Sequence, residues 1–114
     1  MTKLLSILLT IAALTAAGAD QPNSLSQKQV EIIREAIWKA EGGAKAQYAY
    51  GIKSVAYHSL DEARQICENS IRNNYSRWIA SGMTNDFIPF MAIQYCPLDS
   101  QNWTKNVEFF YKHP

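Results

Sequence analysis

Between Val30 and Ala40 the apolar residues Val30, Ile33, Ile37 and Ala40 recur at three- and four-residue intervals. That spacing places them on one face of an α-helix. Gln27, Lys28, Glu31, Arg34 and Glu35 form the wetter side, and Ile32 and Trp38 widen the apolar face, so the pattern predicts a well-buried helix. Ser24 or Ser26 can cap it by accepting a bond from an orphan backbone N–H. Gly42-Gly43 ends it, since glycine takes a left-handed C-cap without steric cost.

The helical period then lapses. Tyr48, Tyr50, Ile52 and Val55 fall in a stretch from Gly42 to Tyr57 that predicts a small hairpin or an irregular β region. Ser59-Leu60-Asp61-Glu62 reads as a capping box. It opens a helix of about twenty residues, the longest expected, with Ala63, Ile66, Cys67, Ser70, Ile71, Tyr75, Trp78 and Ile79 as its stripe and Ser81-Gly82 as its stop. A third helix starts near Thr84 to Asp86. It buries Phe87, Phe90, Met91 and Tyr95, tolerates Pro89 near its start, and halts before Pro97. A last helix carries Trp103, Val107 and Phe110. The three tryptophans lie on these stripes and read as core. The chain shows no internal repeat, low-complexity tract or linker, so it predicts one mainly α domain with a short β or irregular segment.

The N-terminus changes the picture of where that domain begins. Lys3 precedes an apolar run from Leu4 to Leu14, broken only by Ser6 and Thr10, and Ala17-Gly18-Ala19 has the small-residue form of a cleavage site. Residues 1–19 therefore read as a signal peptide, and 20–114 as the exported domain, secreted or periplasmic. The other reading is an uncleaved anchor. The run is short for a permanent membrane span, so stable insertion after cleavage is not expected.

Among the 114 residues, setting Lys3 aside leaves ten Lys and Arg against ten Asp and Glu. A balanced charge argues against nucleic acid as a partner. His58 and His113 are the only histidines, and no Cys/His spacing suits a metal; no cofactor is implied. Two cysteines, Cys67 and Cys96, in an oxidising compartment predict one disulfide. Closing that loop of about thirty residues would contribute roughly 3–4 kcal/mol. Asn74-Tyr75-Ser76 and Asn102-Trp103-Thr104 match the glycosylation pattern, but both fall in expected helices.

Glu41 carries the candidate chemistry. It stands eleven positions after Val30, close to three turns at about 3.6 residues each, and so on the apolar face. Desolvation there, and the partial negative charge of a helix C-terminus, both favour the protonated carboxyl over the anion. Such a group suits proton donation to a leaving oxygen. The plainer reading is a helix-end Glu paired with Lys39, Lys45 or a distant Arg.

Glu41-Gly42-Gly43 followed by Tyr50-Gly51-Ile52 resembles the lysozyme-like superfamily, nearest to soluble-type lytic transglycosylases. The run Phe87 to Pro97, followed by Asn102-Trp103, is similar to the closing helices of that family. The resemblance spans roughly Val30 to Phe110. It implies a lysozyme-like α fold, with Glu41 as the single catalytic acid and base. It also implies substrate contacts at Tyr50, Gly51, Ile52, Ser54 and Tyr95, the last as the aromatic that faces the acid. The implied partner is the glycan strand of peptidoglycan. The implied reaction is cleavage of its β-1,4 bond between N-acetylmuramic acid and N-acetylglucosamine. The sequence departs from the family where Lys53-Ser54 replaces a Met-Gln pair, in a short gap from Glu41 to Gly51, and in lacking an Ala-Tyr-Asn triplet. A hydrolytic muramidase would add a second carboxylate. Asp61, Glu62 and Asp86 are the candidates, though each reads as a helix cap. A non-enzymatic glycan-binding or inhibitor domain is the remaining alternative. Tyr48 and Tyr57 read as packing residues, and Lys53 as a solvated lysine.

Overall fold

The computed structural model describes residues 24–114. The signal-peptide reading of residues 1–19 lies outside them. Four helices dominate: α1 (Gln27–Ala40), α2 (Leu60–Ala80), α3 (Phe87–Tyr95) and α4 (Ser100–Lys112). The expected β segment is not found. Among the described residues there is no strand, and the stretch between α1 and α2 instead holds two 3₁₀ turns, Gly43–Lys45 and Ala49–Gly51. Tyr50 at φ 57° and Gly51 at φ 70° explain the difference. Two successive left-handed residues curl the backbone and leave no run of extended residues to pair.

Local chemistry sets the helix starts. Ser26 caps α1 in a reciprocal box: its side chain accepts from the Gln29 N–H, and the Gln29 side chain accepts from the Ser26 N–H. Ser59 accepts from the Glu62 N–H. Glu62 reaches one residue further back than expected and accepts from the His58 N–H at 2.6 Å. Pro89 is the third residue of α3, where no intrahelical acceptor awaits an N–H.

Each helix packs on two neighbours: α1 against α4 and α2, and α3 against those same two. Val30, Ile33 and Ile37 of α1 meet Cys67, Ile71 and Tyr75 of α2 and Met91 and Val107 of the last two helices in one core. Burying an aliphatic side chain of this size stabilises by about 1.5–3 kcal/mol. Tyr75, Trp78 and Phe87 add a cluster of rings whose centroids lie 5.4–5.7 Å apart. The Trp78 indole N–H donates to the Asn85 carbonyl at 2.7 Å.

One polar pair enters this core. Glu68, which is not part of the expected apolar stripe of α2, is only 7% exposed. Arg34 donates to it at 2.7 Å, and Gln27 approaches at 3.4 Å. Burial works against the Arg34 cation, yet its bonds to Glu68 and Glu35 raise its affinity for the proton above the ordinary value.

The expected disulfide is also absent: Cys67 and Cys96 are free thiols. Cys67 is buried, with Sγ 3.9 Å from the Tyr95 hydroxyl. The Tyr95 side chain thus fills the direction from α3 towards Cys67. Cys96, the next residue, leaves the helical conformation at φ -141° and is half-buried.

Candidate functional site

The end of α1 builds the site. Glu41 is the C-cap, and its N–H donates to the Ile37 carbonyl. Gly42 turns the chain away at φ 111°. The Glu41 side chain then lies half-buried against Gly51. A Cβ on Gly51 would stand 2.5 Å from both Cδ and Oε2 of Glu41. Only a glycine leaves room for the carboxyl to rest on that backbone. Two glycine-linked segments, ten residues apart, are therefore brought into contact.

Trp103 of α4 completes the setting. Its indole N–H donates to Glu41 Oε2 at 2.9 Å, and the residue is 6% exposed. The sequence stripe marked Trp103 as core, and it is; its second role as a hydrogen-bond donor was missed. The available signal was chemical: a buried indole N–H usually needs an acceptor. Tyr95 packs on Trp103 with ring centroids 5.1 Å apart. The Tyr95 hydroxyl donates to the Tyr50 carbonyl at 2.6 Å. Burial pushes the Tyr95 phenol well above its ordinary range, with the Cys67 thiol and the Glu41 charge adding to the effect. Tyr95 thus remains a donor, locked onto the backbone that carries Gly51. Behind it, burial pushes the Cys67 thiol up to about 12, although the Tyr95 contact works the other way.

The other expected contact residues divide. The Tyr50 ring is 4% exposed and packs on Trp38 at 5.0 Å, so it is a core residue rather than a surface for stacking a ring. Burial raises its phenol above the ordinary value, while a bond from Arg64 and the Arg34 charge pull it back. Ile52 is 7% exposed. Ser54 is exposed. Gly51, Ile52, Ser54 and Tyr95 nevertheless share one groove of about 480 Å³. Its far wall is a stripe on α2 that includes Asn69, Asn73, Asn74 and Arg77, with Gln94 beside Tyr95. Glu41 does not line this groove; it stands next to it, against the Gly51 wall. Lys53 lines the groove, with its ammonium 5.9 Å from the Tyr48 ring centre. The Tyr57 hydroxyl accepts from the Ala49 N–H at 2.9 Å.

Two of the three possible second carboxylates are engaged at the start of α2. Asp61 pairs with Arg64 at 2.9 Å on an exposed surface, and Glu62 holds the His58 N–H. Asp86 is the N-cap residue of α3, without a side-chain capping bond. Asn74, in the first glycosylation pattern, is 3% exposed and its amide donates to the Ser70 carbonyl, which leaves no room for a glycan. Among the described residues, no group of three or more His, Cys, Asp or Glu could hold a metal ion, and no helix is long and apolar enough to cross a membrane.

Comparison with protein-family models, with curated proteins and with solved structures found no match to this chain.

Proposed function

We propose that the protein cleaves the glycan strand of peptidoglycan, with Glu41 as the single general acid and base, in the manner of a lytic transglycosylase. The observation that supports this most is the seating of Glu41. A carboxyl at a helix end rests on a glycine backbone, with Oε2 held by the Trp103 N–H at 2.9 Å. A carboxyl fixed at one oxygen has the other oriented for proton transfer.

In the proposed reaction, the acid form of Glu41 protonates the oxygen that links N-acetylmuramic acid to N-acetylglucosamine. The bond from that oxygen to the anomeric carbon breaks, and an oxocarbenium-like state develops. The Glu41 carboxylate then removes the proton of the muramyl 6-hydroxyl, whose oxygen closes on the anomeric carbon. The product is a 1,6-anhydro end, and Glu41 regains its proton. The engagement of Asp61 and Glu62 in helix starts supports this one-carboxylate route over hydrolysis. The proposed setting is a secreted or periplasmic protein.

Clearing of purified sacculi, followed by mass spectrometry of the released muropeptides, tests the reading. Anhydro ends are expected from the wild type and none from Glu41→Gln. Reducing ends would instead assign a hydrolase. Equal clearing by wild type and Glu41→Gln would remove Glu41 as the acid, and absence of any fragments would leave a glycan-binding domain.

A further inference from the structure

The groove beside Glu41 combines apolar residues such as Ile52, Val55 and Ile66 with amides and two cations, and no carboxylate lines it. Arg77 is the cation with a hydrogen-bonded anchor. Its Nη1 donates to Asn74 Oδ1 at 2.8 Å, and its Cζ sits 5.6 Å from the centre of the Phe90 ring. Asn74 is itself buried and anchored to the Ser70 carbonyl at 2.9 Å. The guanidinium is therefore held at one edge and backed by a ring. It makes no ion pair with a carboxylate among the described residues, where Arg34 and Arg64 do. Arginine carries five N–H donors in a planar fork that matches a carboxylate. One is used by Asn74, so the remainder face a groove that supplies no anion of its own. Lys53 on the opposite wall gives the groove a second positive charge. Asn69, Asn73 and Gln94 offer both donors and acceptors, as acylated amino sugars and peptides require.

We propose that Arg77 is a specificity-determining residue that binds a carboxylate carried on the side branch of the glycan. This rests on the proposed function for the identity of the ligand, but not on cleavage. Two sources share the chemistry: the lactyl carboxyl of muramic acid, and the carboxylates of a peptide attached to it. Neither exists on a chain of N-acetylglucosamine alone, so the groove would separate peptidoglycan from chitin-type glycans.

Titration calorimetry in the Glu41→Gln background tests the inference with three tetrasaccharides. These are the N-acetylglucosamine tetramer, the alternating muramyl tetramer with free lactyl acids, and the same tetramer bearing peptides. Expected is binding of a carboxylate-bearing tetramer roughly tenfold tighter than the N-acetylglucosamine tetramer, a preference that Arg77→Gln abolishes and Arg77→Lys recovers only in part, because lysine lacks the fork. Preference for the free-acid form assigns the lactyl group; preference for the peptide form assigns the peptide. Arg77 is exposed, so Arg77→Gln should keep the fold, which a circular dichroism melt verifies. Equal affinity for all three, or equal loss by Arg77→Gln on all three, overturns the inference alone. A carboxylate preference lost with Arg77→Gln, in a wild type that releases no fragments from sacculi, overturns the proposed function alone. No binding to any tetramer overturns both.

Discussion

The ends of α1 and α2 use the same backbone device to different effect. At the end of α1, the Glu41 N–H donates to the Ile37 carbonyl and Gly42 turns left-handed. At the end of α2, the Ser81 N–H donates to the Arg77 carbonyl and Gly82 turns left-handed at φ 87°. There the likeness stops. Ser81 folds its hydroxyl back onto the Trp78 carbonyl at 2.7 Å, and nothing lies within 4 Å of a Cβ placed on Gly82. The end of α2 is a stop that faces solvent. The end of α1 is covered by Gly51 from the following segment and by Trp103 from the far end of the chain. A helix terminus becomes a candidate site through what is packed over it, not through its own turn.

Substitutions can break this contrast in graded steps. The largest effect is expected from Glu41→Gln, which should lower the cleavage rate by roughly 10²–10⁴-fold, the usual contribution of a general acid. Its melting temperature should stay within a few degrees of wild type, because an amide can still accept the Trp103 N–H. Ser81→Ala, at the other helix end, should leave the rate unchanged and cost about 1 kcal/mol for its lost hydrogen bond.

Gly51→Ala comes next. Its Cβ would meet the Glu41 carboxyl at 2.5 Å, on a residue already at φ 70°. Strain of both kinds predicts about 2–4 kcal/mol of lost stability by urea denaturation, together with a displaced Glu41 and loss of activity. Gly82→Ala meets only the conformational cost, about 1 kcal/mol, with activity intact. Similar costs for the two variants would mean that Gly51 is a turn residue and not a seat for the carboxyl.

Trp103→Phe keeps most of the packing but removes the N–H that fixes Glu41 Oε2. The expected result is a tenfold or smaller drop in kcat, while KM changes little. An unchanged kcat would reduce Trp103 to a packing residue.

The smallest effect appears only in alkali. The Cys67 thiol is raised to about 12 in the fold from an ordinary value of 9.0. The neutral thiol favours the folded state fully below about pH 9, and that contribution is lost as the pH rises towards about 12. Tyr95 moves in the same direction. Between pH 8 and 10.5 the wild type should therefore lose more stability in urea than Cys67→Ala does. Native alkylation near pH 8 should label Cys96 and spare Cys67, and labelling of both at equal rates would contradict the burial of Cys67.

How much of this the sequence revealed depends on the distance over which the information acts. The cap at Ser59 and the stop at Gly42 are local, and spacing alone placed them; it narrowed the other two starts to Ser24 or Ser26 and to Thr84–Asp86, and the structure puts them at Ser26 and Asp86. Glu41 was located because a carboxyl at an apolar helix end is an unusual local choice. Trp103 lies 62 residues from Glu41, and periodicity says which face of a helix is buried but not what stands across from it. Glu68 was missed for the same reason. Its partner Arg34 is on another helix, and a pattern of apolar positions discounts any charge that pairs inside. The β segment failed because aromatic residues suit strands on average, whereas Tyr50 takes a left-handed conformation that no average anticipates. The disulfide rested on compartment and cysteine count, neither of which carries orientation.

The bridge from α1 to α2 has an implication for motion. Its backbone contains no regular element longer than three residues, and side chains provide much of its fastening. Tyr57 meets the Ala49 N–H, Tyr95 meets the Tyr50 carbonyl, and the Tyr50 ring sits against Trp38. Without regular backbone hydrogen bonding, this bridge should open as a cooperative unit below the free energy of global unfolding. In hydrogen exchange, its amides should trade deuterium before those of α1 and α2, and Tyr95→Phe should hasten them further. The seat of the carboxyl would thus unlatch more easily than the two long helices it joins, and a ligand that fills the groove would slow its exchange.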